Sequence, residues 1–127
     1  MTPQPQSVIP LCRIVATRDS NSPVWHFHFV NDGQAPIERA VLSAVRYEWG
    51  DQYVGEGASP NVVVTNLSPG GQAPIWQDDG SSEMRTDLWL RVTHLGQEII
   101  LLFEFPKLYR QRGTTLVAHP DRMEKLP

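Results

Sequence analysis

Between Leu88 and Phe105 the chain reads LWLRVTHLGQEIILLFEF, and its apolar positions fall into two β-like runs around the short turn His94-Leu95-Gly96-Gln97. A glycine-containing turn between such runs predicts an antiparallel hairpin. In the first run Leu88, Leu90 and Val92 alternate with Trp89, Arg91 and Thr93, the period of a strand with one face in a core. The second run is apolar on both faces: Ile99, Leu101, Phe103 and Phe105 share one, while Ile100 and Leu102 precede Glu104 on the other. A strand of that kind lies centrally in a sheet or has its second face covered.

The same period recurs along the rest of the chain. A first strand is expected from about Val8 to Thr17, with Pro10 near its start because proline cannot donate to a ladder. RDSNSP at 18–23 is a turn by composition, and Val24 to Val30 alternates strictly, with Trp25, Phe27 and Phe29 inward and His26 and His28 outward. After Asn31-Asp32-Gly33, a strand from Val41 to Trp49 places Val41, Val45, Tyr47 and Trp49 on one face. Residues 50–60 form a glycine-rich excursion, Asn61 to Asn66 a strand, and Ala73 to Gln77 a short one. Beyond Pro106, TTLVA suggests a last strand, and Pro120 followed by DRMEKL suggests a single helical turn.

Residues 28–45, HFVNDGQAPIERAVLSAV, resemble the strand, Asn-x-Gly turn, strand pattern of immunoglobulin-like and fibronectin-type-III-like sandwiches, and Trp49 is similar to their core tryptophan. The chain departs from true immunoglobulin domains in lacking the cysteine pair that flanks that residue. The resemblance implies an all-β fold, an antiparallel two-sheet β-sandwich of about seven strands over residues 8–106, and no particular function. Residues 1–7 read as a disordered lead-in, and 107–127 as a basic segment packing on the sandwich or on a partner.

Charge and cysteine usage narrow the partners. The net charge of −3 is too small to argue for capture of nucleic acid or an anionic membrane, and no apolar run reaches the length of a membrane span. Cys12 is the only cysteine, which favours a reducing, cytoplasmic setting.

Candidate chemistry is sparse. His26 and His28 lie roughly 7 Å apart along a strand, a usable ligand spacing. Followed by Asp32 they resemble the first cupin motif, but Ser20 stands where its glycine belongs and Pro74 where the second motif has histidine. Two outward histidines on a half-buried strand account for them, and no metal or other cofactor is expected. Asp78 and Asp79 open DDGSSE, which offers oxygen ligands without calcium-loop spacing, and Tyr53 lies in the glycine-rich stretch. These three are the expected contacts of a small ligand or carbohydrate. No GxSxG elbow occurs, and Cys12 sits between apolar neighbours.

The outward face of the central hairpin is the remaining feature. Leu42 and Ala44, Trp89, and Ile100 with Leu102 are expected to form one apolar patch, edged by Arg46, Glu48, Arg91 and Glu104. Either the C-terminal segment, through Leu108, Tyr109, Leu116 and Val117, folds over it or a partner does, and Leu42, Trp89, Arg91, Ile100 and Leu102 are then the interface. The expected function is a non-catalytic interaction or structural module, engaging a protein partner or a second copy. A ligand-binding sandwich is the alternative, and a metal-dependent enzyme using His26 and His28 is third.

Overall fold

A computed structural model describes residues 9–49, 52–56, 62–78, 85–106 and 113–127, with the backbone alone at 48, 49 and 52–56. The chain is all-β. Its strands are β1 (Cys12–Thr17), β2 (Trp25–Asn31), β3 (Ile37–Trp49), β4 (Gln52–Glu56), β5 (Val63–Leu67), β6 (Gln72–Asp78), β7 (Arg85–His94), β8 (Gln97–Phe105), β9 (Thr115–Ala118) and β10 (Asp121–Met123). Every pairing is antiparallel. Among the described residues there is no helix, hence none long and apolar enough to cross a membrane.

Two sheets form. One has the order β6-β2-β1-β9, the other β10-β8-β7-β3-β4 with β5 also on β3. β3 is 13 residues long. β7 runs along one side of it, and on the other β5 pairs with its first half and β4 with its last residues. The inward side chains of both sheets meet in one core that holds Ile14, Trp25, Phe27, Phe29, Leu88, Leu90, Leu101, Phe103 and Phe105. The sheets interlock through β2 and β8. Phe27 meets Phe105 edge-on at 5.0 Å between ring centroids, and Phe29 meets Phe103 at 6.2 Å, the geometry ring quadrupoles favour.

Hairpin, aromatic strand and sandwich agree with the sequence pattern, and three local features differ. First, the glycine-rich excursion contains β4, and the first three residues of DRMEKL form β10 instead of a helical turn: Asp121 to Met123 complete backbone hydrogen bonds on the edge of β8. A helical turn there leaves that edge bare. Second, β3 is bulged between Leu42 and Ala44, so two residues advance where β7 advances one. The bulge reverses the faces. Leu42 pairs with Leu90 in the core and is 1 % exposed, while Val41, expected to share a face with Val45, lies opposite Arg91 on the outer side. Third, the chain after Gly113 edges both sheets, β9 beside β1 and β10 beside β8, and Val117 pairs with Val15 on the outer side of the four-stranded sheet. Leu116 and Val117 therefore do not roof the hairpin, and Leu108 and Tyr109 lie outside the described residues.

Asn31 ties the two sheets together at one corner. Its side chain is buried, donates to the carbonyls of Ala35 and Leu67, both at 2.9 Å, and accepts from the Gly33 amide at 2.9 Å. Its backbone donates to Gly71 and accepts from Gly70. One residue thus anchors both the turn leaving β2 and the turn joining β5 to β6.

Candidate functional site: the outer face of the six-stranded sheet

Registers across β5, β3, β7, β8 and β10 bring outward residues into cross-strand rows. Ala44, Trp89, Leu102 and Asp121 form one row. Next to it runs Val63, Val41, Arg91, Ile100 and Met123. Beyond that come Thr65, Arg39, Thr93 and Glu98. At about 4.8 Å between strands, the five-residue row crosses roughly 19 Å of surface.

The rows differ in what they offer. Trp89 is 7 % and Leu102 8 % exposed, and both stand outside the core cluster that fills the sandwich. They are a floor. The Trp89 indole Nε1 has no hydrogen-bond partner among the described residues, so its burial rests on apolar contact. Val63, by contrast, is 47 % exposed, Arg91 is exposed, and Val41, Ile100 and Met123 are half-buried. This row is the accessible part of the face: aliphatic side chains with one guanidinium near the middle. Opposite Arg46 and Glu104, Asp87 is buried on the same outer side and held by a two-pronged bond from Arg85, Nε to Oδ1 at 3.1 Å and Nη2 to Oδ2 at 3.0 Å. Glu104 stands 3.9 Å from the same guanidinium. The Arg85 side of the face is thereby charge-matched and rigid.

Between β8 and β10 an open groove of about 370 Å³ is lined by Glu98, Ile99, Ile100, Arg122, Met123 and Glu124. Ile100 and Met123 continue the aliphatic row into it, and Glu98, Glu124 and Arg122 bring two carboxylates and a guanidinium to its lining.

Other expected contacts lie elsewhere. Tyr53 belongs to β4, opposite Glu48, and its side chain is outside the described atoms. Asp78 ends β6 beside Trp25 and is buried, while Asp79 lies outside the described residues. His26 and His28 do face outward, on the four-stranded sheet, opposite Gln77 and Pro74. Among the described residues no three His, Cys, Asp or Glu side chains gather closely enough to hold a metal ion. Cys12 is buried, and burial followed by the charge of Asp32 pushes its thiol from 9.0 up to about 12, the opposite of what a nucleophile needs.

The aliphatic row joins residues far apart in sequence, which no single-strand pattern contains. The sequence signal for it was the two-faced apolar run of β8. No family model, no curated protein and no solved structure matches this chain.

Proposed function

We propose that this chain is a non-catalytic, immunoglobulin-like interaction module that engages a protein partner through the outer face of its six-stranded sheet. In immunoglobulin sandwiches the first, second, fourth and fifth strands share one sheet and the third, sixth and seventh the other, with added strands beside the third in variable types; β5, which pairs with β3, departs from that plan. The pairing of β1, β2 and β6 in one sheet, and of β3, β7 and β8 with β4 in the other, supports that comparison. β9 and β10 extend both sheets beyond it.

The observation that carries the reading is the row Val63, Val41, Arg91, Ile100 and Met123 lying against the buried Trp89 and Leu102. Protein interfaces combine an apolar centre, a guanidinium able to bond in several directions, and a polar rim. Thr65, Arg39, Thr93 and Glu98 supply that rim on one side, and the Arg85–Asp87 pair supplies it on the other.

Two exposed valines make a matched test. Val63 on this face is 47 % exposed and Val117 on the opposite sheet 44 %. A photo-cross-linking amino acid placed at Val63 in the native host is expected to yield protein adducts well in excess of one placed at Val117. Equal yields from both positions, or none from either, would overturn the interaction face.

A further inference from the structure

β5 has an open edge. Among the described residues no strand pairs with the side of β5 that faces away from β3. The Leu42 amide donates to the Val62 carbonyl at 3.0 Å, and the register sets Val41 opposite Val63, Ala40 opposite Val64 and Arg39 opposite Thr65. Bonded and non-bonded pairs alternate along an antiparallel ladder. Val64 therefore directs its backbone groups at Ala40, while the N–H and C=O of Val63 and Thr65 point to the open edge. Val63, Thr65 and Asn66 are exposed, and the strand, VVTNL, holds neither a charge nor a proline. Such an edge is a template for another strand. Other edges are guarded, β6 by Pro74 and a bulge, β10 by Asp121 and Arg122. β9 is also bare, but it is four residues long.

We infer that β5 pairs antiparallel with β5 of a second copy, about a two-fold axis that passes beside Val64 at right angles to the sheet. Val63 of each copy then stands opposite Thr65 of the other, and the two exchange N–H and C=O bonds. Val64 meets Val64 on the axis. The facing side chains are β-branched and uncharged, so the symmetric meeting brings no like charges together on the paired strands. The open ladder is short, because Asn66 turns into the left-handed region at φ 50° and ends the extended run. That shortness selects the occupant. A disordered peptide loses backbone entropy at every residue it orders, and two residues of ladder return too little to offset the loss. A strand already folded in a second copy carries no such cost. The pairing leaves Arg91, Ile100 and Met123 uncovered and sets two outer faces side by side on one continuous sheet. It is separate from whatever the face itself engages.

Sedimentation velocity on the purified full chain, taken up to millimolar concentration, tests this with one proline at each bare edge. The unaltered chain is expected to dimerise reversibly. Thr65→Pro removes an amide that β3 does not use, and with it half of the bonds between copies, so association is expected to weaken by roughly tenfold or more. Thr65→Val keeps the amide and the branched side chain and is expected to dimerise as before. Val117→Pro removes the matching outward amide of β9, placed by the bond from the Arg18 amide to the Thr114 carbonyl and by the pairing of Val15 with Val117, and is expected to change nothing. Circular dichroism checks each fold. A chain monomeric throughout overturns the inference, as does a Thr65→Pro variant that dimerises normally or a Val117→Pro variant that loses the dimer. The register is read without proline. Val64→Cys is expected to form an intermolecular disulfide under mild oxidation well ahead of Val63→Cys, since residue 64 meets itself across the axis. Cys12 is buried and is expected to stay out of the reaction. Equal cross-linking at the two positions, or none from Val64→Cys, overturns the pairing. Photo-adducts of Val63 with another protein report on the outer face and adducts with a second copy on this edge, so either reading can fail alone.

Discussion

The two outer faces of the sandwich are both built from antiparallel strands, yet they meet their surroundings differently. On the four-stranded sheet, Arg13, Val15, His26 and His28 alternate with core residues and are exposed or half-buried, and among the described outward residues of that sheet only Val30 is buried. On the six-stranded sheet, Trp89, Leu102 and Asp87 are buried although they point away from the core. The first face is an ordinary solvated sheet surface. The second has an interior of its own, with a floor, an aliphatic row above it and an ion pair beside it. A β-sandwich needs only one hydrophobic layer to fold, and this second apolar layer is what supports the interaction face proposed for the six-stranded sheet.

The sharpest way to break that contrast is to place one charge on each face. Leu102→Glu puts a carboxylate into the floor, where its desolvation is uncompensated, and is expected to cost about 3 kcal/mol. His26→Glu, exposed on the opposite sheet between Thr17 and Gln77, is expected to cost no more than about 0.5 kcal/mol. Urea unfolding of the two variants reads the difference. Equal costs would mean that the two faces are energetically alike and that the burial of Trp89 and Leu102 carries no weight.

That contrast was partly legible in the sequence. The run from Ile99 to Phe105 is apolar on both sides, which requires a covered second face whatever the neighbouring strands are. The alternation of Trp25, Phe27 and Phe29 likewise fixed the core side of β2. Leu42 misled because the bulge beside it is a backbone event: parity counted through Ser43 assigns Leu42 to the outer face, and parity counted on the actual ladder assigns it to the core. β10 was read as a helical turn because three residues carry little intrinsic preference, and their conformation is set by the edge of β8. The aliphatic row was legible only at Arg91 and Ile100, which the hairpin pattern places on its outward face. Val63, Val41, Arg91, Ile100 and Met123 become neighbours only once the register of five strands is known.

A second substitution asks whether the two faces belong to one cooperative unit. Asn31 ends a strand of the four-stranded sheet and holds both its own turn and the turn from β5 to β6, which joins the sheets. Asn31→Ala removes the side-chain bonds at Ala35, Leu67 and Gly33, of which the one to Leu67 is buried, at an expected cost of about 2 kcal/mol. The loss should appear as a single shifted transition by tryptophan fluorescence and by far-ultraviolet circular dichroism. Two separated transitions would instead show that each sheet, with its own outer face, unfolds on its own.

The smallest expected effect concerns the hairpin that carries the floor. β7 and β8 are joined by Leu95 and Gly96, both in the left-handed region with φ of 51° and 76°, as a two-residue turn between twisted strands requires. Glycine adopts that conformation without penalty, whereas leucine crowds its Cβ against the following carbonyl, and the Leu95 side chain is largely in water. Asparagine tolerates the conformation far better. Leu95→Asn is therefore expected to stabilise the protein by about 0.5–1 kcal/mol, read as a raised urea midpoint at unchanged slope. Because the turn is remote from Trp89 and Leu102 in the ladder, the gain should be equal in the unaltered chain and in Leu102→Glu. A gain that vanishes in the Leu102→Glu background would show that the charge had already loosened the hairpin as far as its turn, making the buried floor part of what sets the β7–β8 register.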